Sequence, residues 1–445
     1  MAALTALVCA GTAHAGPPGK WTQVTGVAGQ PDQNILRAGL VRTADGVLHV
    51  GWMRAGAGNS ASVLHSAISA NAKTVSGPDT IFTYSGGANE SVALVRAPEG
   101  IRAFFAGLEA GSSLDRAMAT ATSANGQSWS APASASRSGA AKPVYVASGL
   151  DANVGLDGTF YSAWGDSSPG GGGFHVGLDP SIPDGELPAG LQSDPGVGVD
   201  SKSGQVFVAW NDLDASNVSV MALSPLGAPV ALPNSGAGQL QHEVGTTGRI
   251  GAPGVFIAYT QGTNAFLGDP ALFRVDTGKA TKLTRKDGEM VSIAAAPSGR
   301  LWMFWKDSGT VFARRSNKAA TKFGATRTIR APGGSAATIY SLTGEGSRGP
   351  LDVLALVDPP SGGIANFHQR ILPGLTLKAK KKAGGKTAFK VTDAGAPVSG
   401  AKVKVKGDGS KTTGKSGTVV FSLSPGKHKA KASKKGYASA TARSH

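Results

Sequence analysis

Apolar and polar positions fall into short runs along this chain, and the runs recur. A Gly-containing turn leads into an apolar stretch that ends in an aromatic residue and often an Asp. A second, alternating run follows. The phrase reads Gly158-Thr159-Phe160-Tyr161-Ser162-Ala163-Trp164-Gly165-Asp166, then Gly204-Gln205-Val206-Phe207-Val208-Ala209-Trp210-Asn211-Asp212, then Gly299-Arg300-Leu301-Trp302-Met303-Phe304-Trp305-Lys306-Asp307. Looser copies occupy residues 46–54, 100–109, 254–261 and 349–358. Alternation bounded by turn signals predicts half-buried β-strands. No long helical pattern appears outside the first residues.

Two stretches align at one offset. Leu40-Val41-Arg42-Thr43-Ala44-Asp45-Gly46 recurs 54 residues later as Leu94-Val95-Arg96-Ala97-Pro98-Glu99-Gly100, and the same offset carries Ser69-Ala70-Asn71 onto Ser123-Ala124-Asn125. Repeats of about 40–55 residues built from short strands predict an all-β fold, a β-propeller. Further repeat starts fall near Val154, Val197, Val244, Ile293 and Ile339, which predicts seven blades. Six is the alternative, if the weak last copy is a separate element. The last copy, 339–372, lacks an outer strand, and residues 21–26 read as an outer strand without a blade. Pairing the two closes the ring and leaves fewer exposed sheet edges.

Residues Thr122-Ser123-Ala124-Asn125-Gly126-Gln127-Ser128-Trp129 resemble an Asp-box, the hairpin motif S-x-D-x-G-x-T-W of sialidase-like propellers. Gly126, Ser128 and Trp129 match. The Asp position holds Ala124, with Asn125 beside it. The resemblance implies a structural turn at the blade periphery and the propeller superfamily, but no activity. A working sialidase of that superfamily carries a Phe/Tyr-Arg-Ile-Pro arginine. The nearest string, Val95-Arg96-Ala97-Pro98, reads as an ordinary turn, which argues against sialidase activity. From Lys390 onward, Val391-Thr392-Asp393-Ala394-Gly395-Ala396-Pro397-Val398 and Thr413-Gly414-Lys415-Ser416-Gly417-Thr418 resemble carboxypeptidase-regulatory-like or bacterial Ig-like modules. This resemblance implies a small C-terminal β-sandwich that acts as a spacer or attachment module.

Charge marks the same boundary. The formal net charge is +16 over 445 residues. Residues 374–445 hold 17 Lys and Arg against 2 Asp, hence +15. The rest has 44 − 17 = 27 basic and 28 − 2 = 26 acidic residues, hence +1. The expected organisation is a signal peptide at 1–15, a propeller at 16–373 and a Lys-rich sandwich at 374–445. The leader reading rests on the apolar run 2–10 and Ala13-His14-Ala15, an A-x-A-type cleavage site. The run lacks a basic n-region and is too short to span a bilayer. Cys9, the one cysteine, lies within it. The mature chain would then have no disulfide and no thiolate chemistry. A cysteine-free exported protein of this kind is expected to be bacterial, secreted or associated with the cell surface, and monomeric.

Candidate chemistry is sparse. The strand-ending Asp166, Asp212, Asp307 and Asp358 are candidate ligand groups on one rim, although Asp also caps turns through nearby backbone N–H groups. Trp52, Trp164, Trp210 and Trp305 are candidate sugar-stacking platforms, or packing residues between blades. Asp212-Leu213-Asp214 with Asn217 hints at calcium, but the Gly and terminal Glu of an EF-type loop are missing. No cofactor is expected. The histidines have no metal-ligand spacing, and His49 and His65 read as ordinary strand residues. In Lys402-Val403-Lys404-Val405-Lys406, alternation places the lysines on one outer face. With Lys429 and Lys431 they form a candidate surface for anionic cell-envelope polymers. Few arginines and aromatics accompany them, which argues against sequence-specific nucleic-acid recognition.

These readings lead to an exported, non-catalytic propeller that binds an extracellular glycan or peptide and is held at an anionic envelope by its basic sandwich. The alternative is a glycoside-cleaving hydrolase or lyase acting on extracellular glycans.

Overall fold

A computed structural model describes residues 20–25, 37–55, 60–85, 91–109, 116–134, 148–167, 174–179, 192–235, 244–262, 268–283, 288–360 and 362–444. The leader, Cys9 and the side chain of Asp166 lie outside the described residues.

The fold is an all-β propeller followed by a small sandwich. Among the described residues, seven antiparallel sheets precede Pro373. Their first strands are Gly39–Arg42, Ala93–Ala97, Ser148–Val154, Gln192–Val199, Gly245–Arg249, Glu289–Ala296 and Thr338–Glu345. Each touches the next in this order, and the last touches the first. First strands arranged in a ring enclose an axis. The second strands, such as Val206–Asp212 and Arg300–Asp307, lie one step outward.

The second strands explain the recurring apolar phrase. Val206, Val208 and Trp210 pack with Tyr161 and Ala163 of the preceding sheet, while Phe207 and Ala209 pack with Ile257 and Tyr259 of the following one. Leu301, Met303 and Trp305 face one neighbour, and Trp302 and Phe304 the other. Both faces of such a strand are covered, so both parities must be apolar. Burial of one large aliphatic or aromatic side chain contributes about 1.5–3 kcal/mol. Among the described residues, seven hydrophobic clusters lie between the sheets, each joining two neighbours.

The ring closes with strands distant in sequence. Thr22–Gln23 pairs with Ala365–Ile371, in register Thr22↔His368 and Gln23↔Phe367. The backbone N–H of Val24 donates to Asn366 O at 2.8 Å, and the N–H of Asn366 donates to Thr25 Oγ1 at 2.8 Å. The outer strand missing from residues 339–372 is thus supplied by the N-terminal segment.

A buried charge network crosses the same seam. Asp352 is 1% exposed. It accepts from His368 Nε2 at 2.8 Å, from Arg370 Nε at 2.8 Å and from Arg42 Nη2 of the first sheet. Arg42 Nε also donates to Glu345 at 2.5 Å, and its Nη1 donates to Gly46 O at 2.7 Å. Burial pushes the Asp352 carboxyl up, but hydrogen bonds and charge from His368, Arg370 and Arg42 outweigh it and hold the carboxyl below the ordinary range.

After Pro373 two small sheets share one core. One comprises Thr376–Lys382, Lys386–Asp393, Ala396–Pro397 and Thr418–Ser422; the other comprises Gly409–Thr412, Lys402–Val405, His428–Ser433 and Ala440–Ser444. Phe389, Val391, Phe421, Val403 and Val405 lie between them. The sandwich docks on the sixth sheet. Arg315 Nη2 donates to the buried Asp393 at 2.5 Å and to Tyr437 Oη at 3.3 Å, and Arg300 Nη1 lies 3.4 Å from Asp393.

Removing one partner of a buried charge cluster strands the others. Asp352→Asn is therefore expected to lower the unfolding free energy by roughly 3–5 kcal/mol, read from urea denaturation at pH 7. A loss below about 1 kcal/mol would mean that the seam does not depend on this charge.

Candidate functional site at the channel and the first seam

The four tryptophans are core residues. Trp52, Trp164, Trp210 and Trp305 are at most 5% exposed and sit in the clusters between sheets. This corrects the expectation that they stack on sugars: the second strand is covered on both sides, so the rings have no free face. The indole N–H groups of Trp52, Trp164 and Trp210 are buried without an acceptor among the described residues.

The strand-ending aspartates lie at turns in separate sheets. Asp212 Oδ1 accepts from the backbone N–H of Ala215 at 2.9 Å, which is turn capping. Asp307 is exposed and accepts from Ser308 Oγ at 3.3 Å; Asp358 is half-buried. Among the described residues, no contact brings Asp212, Asp307 and Asp358 together. Among the described residues, no group of three or more His, Cys, Asp or Glu could hold a metal ion.

Charged residues that sequence reading passed over meet at the axis instead. Arg37 precedes the first strand of the first sheet and donates from Nε to Thr343 Oγ1 of the seventh at 3.2 Å. Asp151 stands on the first strand of the third sheet and accepts from the backbone N–H of Val197, on the fourth, at 2.8 Å. Asn153 Nδ2 donates to Val197 O at 3.3 Å. Burial pushes the Asp151 carboxyl above its ordinary range, and the charge of Arg37 and the N–H groups of Val197 and Ala152 only partly offset this.

Bulges shape this end of the channel. The pairing of the first strand with the second shifts between Ser148 and Asp151, and again between Ser193 and Gly196 in the next sheet. The left-handed residues there are Gly149 (φ 57°) and Asp194 (φ 52°). A Cβ on Gly149 would lie 2.6 Å from Asp194 Cα and 3.0 Å from Asp194 Oδ1, so the two bulged strands pack directly against each other. Bulges commonly re-aim side chains beside binding sites. The group brings a guanidinium suited to bidentate pairing near a carboxyl that burial raises.

A second polar group lies between the first two sheets. His49 Nδ1 and His65 Nε2 are 2.9 Å apart, and His49 Nε2 is 3.1 Å from Thr43 Oγ1. Thr43 Oγ1 donates to Asp45 Oδ1 at 2.6 Å. His65 Nδ1 lies 3.6 Å from Asp79 Oδ2 and has no hydrogen-bond partner among the described residues. A cavity of about 300 Å³ opens beside this chain, lined by Thr43, Asp45, His49, Arg96 and Asn125 among others. The histidines read as ordinary strand residues therefore form a buried pair.

The Asp-box-like turn seals the pair. Gln127 N–H donates to Asn125 Oδ1 at 3.0 Å, Gly126 N–H donates to Ser123 Oγ at 2.8 Å, and Trp129 Nε1 donates to Gly126 O at 3.2 Å. Asn125 thus takes the acceptor role of the missing Asp. Ser128 is exposed. Gly126 (φ 82°) presses on the imidazoles: a Cβ there would lie 2.6 Å from His65 Cε1. Asn71 makes a similar turn in the first sheet, accepting from the N–H of Lys73 at 3.0 Å.

No protein-family model and no curated protein sequence matches the chain. Similar solved structures include the polysaccharide lyase Uly1 (10% identity, 81% of this chain and 98% of that one, TM-score 0.45). They also include an ulvan lyase from a new family of polysaccharide lyases (11%, 76% and 93%, 0.46) and the Hadza microbial sialidase Hz136 (10%, 76% and 65%, 0.44). A likeness this distant carries nothing about chemistry.

Burial, with the neighbouring imidazole adding to it at His49, lowers both His49 and His65 to about 4 from the ordinary 6.5. The unfolded chain then binds protons first as pH falls. Stability from this pair is full above about pH 6.5 and is lost progressively down to about pH 4. Denaturation midpoints measured across that window should fall for the wild type and fall less for a His49→Gln/His65→Gln variant. Equal slopes would remove the pair as the cause.

Proposed function

We propose that the protein binds an acidic extracellular glycan at the channel end where Arg37, Asp151 and Thr343 meet. The observation that carries this reading is the pairing of functions at the axis. Arg37 supplies a guanidinium for a sugar carboxylate, and the Asp151 carboxyl, which accepts from Val197 N–H, supplies a hydrogen-bonding partner for a sugar hydroxyl. On this reading the protein is exported and acts without catalysis. The basic sandwich, with Lys402, Lys404, Lys406, Lys429 and Lys431 all exposed, holds it to anionic envelope polymers.

Glycoside cleavage is the second reading, favoured by one observation. Asp151 and Asp194 come from adjacent first strands, and Asp151 is shifted toward the protonated state that a general acid needs. Two carboxyl groups flanking a glycosidic bond are the common requirement of hydrolases.

Titration calorimetry with uronic-acid oligosaccharides, followed by a reducing-end assay on the same mixtures, separates the two. Binding without new reducing ends, weakened roughly 10- to 100-fold by Arg37→Gln, supports the binder. New reducing ends that vanish in Asp151→Asn support the enzyme. Binding that neither variant changes would place the ligand away from the channel.

A further inference from the structure

The sandwich carries more charge than one attachment surface requires, and its arrangement is specific. In the sheet containing Thr376–Lys382 and Lys386–Asp393, Leu377, Phe389 and Val391 point into the core. The opposite parity places Lys378, Lys380, Lys382, Lys386 and Lys390 outward, and all five are exposed. Register puts Lys378 directly across from Lys390, and Lys382 directly across from Lys386.

The other sheet repeats this. Val403, Val405, Ala430 and Ala432 point inward. Lys402, Lys404, Lys429, Lys431 and Arg443 point outward and are exposed. Lys404 stands directly across from Lys431, and Lys429 from Arg443. The two sheets share one core, so the two basic faces point away from each other.

Like charges directly opposite each other destabilise a sheet. Four such pairs, two on each face, are a repeated cost with no internal compensation. Among the described residues, none of these ten cations forms an ion pair or hydrogen bond with another group. The two acidic residues of the segment lie elsewhere: Asp393 is buried against Arg315, and Asp408 lies 3.0 Å from His428. A ligand that brings negative charge removes the repulsion.

We propose that the sandwich has two separate polyanion-binding faces, one on each sheet, and so bridges two linear anionic chains. This rests on the envelope-anchor reading above and extends it to the face built by Lys378, Lys380, Lys382, Lys386 and Lys390. Opposite residues lie about 4.5–5.5 Å apart across strands and about 7 Å apart along a strand, a grid suited to a polymer with one charge per repeat unit. A flat bilayer reaches only one of two opposed faces. Extended chains reach both.

The test uses the full chain and two charge-reversal variants, Lys380→Glu/Lys390→Glu on one face and Lys404→Glu/Lys429→Glu on the other. In these, Lys390→Glu faces Lys378, Lys404→Glu faces Lys431 and Lys429→Glu faces Arg443, so opposed cations become ion pairs and folding, checked by circular dichroism, is retained. The probes are a short polyphosphate and a short oligogalacturonate, which distinguish phosphate-based from carboxylate-based polymers. Stoichiometry by calorimetry at low salt should be two oligomers per protein for the wild type, one for each variant and none for the combination. Long polyphosphate should make wild-type solutions scatter light and leave both variants clear. One oligomer per wild-type chain, or one variant abolishing all binding while the other changes nothing, overturns the two-face inference and leaves the anchor standing. A wild type that binds neither probe removes the anchor reading itself.

Discussion

Every sheet of the propeller depends on having a neighbour on each side. The second strands are apolar at both parities, so a sheet with an uncovered face would expose a row of large side chains such as Trp302 and Phe304. Such surfaces do not stay soluble in a linear stack. The ring must therefore close, and closure falls on Thr22–Gln23 pairing with Ala365–Ile371 and on the charge network around Asp352. The cost of burying Asp352 is met by three cationic or donor groups drawn from two sheets. The channel and its residues exist only because the seam holds.

This dependence explains what sequence reading reached. The two-sided apolar phrase is local and strong, so the strands, the propeller class and the unpaired outer strand at residues 21–26 are legible. The Asp-box-like turn is legible too, because its hydrogen bonds run between residues only two or three apart, such as Gln127 to Asn125. The Trp residues show the limit of repetition as a clue. Equal positions in equal sheets imply equal environments, and here that environment is the interior.

The candidate site is less legible, because it is assembled across sheets. Asp151 and Thr343 lie on two different first strands, Arg37 just before a third, and the three have no common spacing. The available signal was a lone cation or carboxyl on a strand next to the axis, and identifying those strands requires the ring. The His49–His65 pair needed the register of two adjacent strands, in which Gly51 faces His65. The lysine faces were half visible: Lys402-Val403-Lys404 declares its own alternation, whereas the opposition of Lys378 to Lys390 depends on the length of a turn.

Asp393 has an effect beyond charge. Its carboxylate belongs to the sandwich, yet the arginines that neutralise it belong to the sixth sheet of the propeller. If the sandwich unfolds, Arg300 and Arg315 lose their counter-ion; if the sixth sheet unfolds, Asp393 is left buried and unpaired. A sharp border in composition at Pro373 is therefore not a border in cooperativity. The two parts are coupled through a shared carboxylate and the Arg315–Tyr437 contact, and heating should melt them as a single thermodynamic unit.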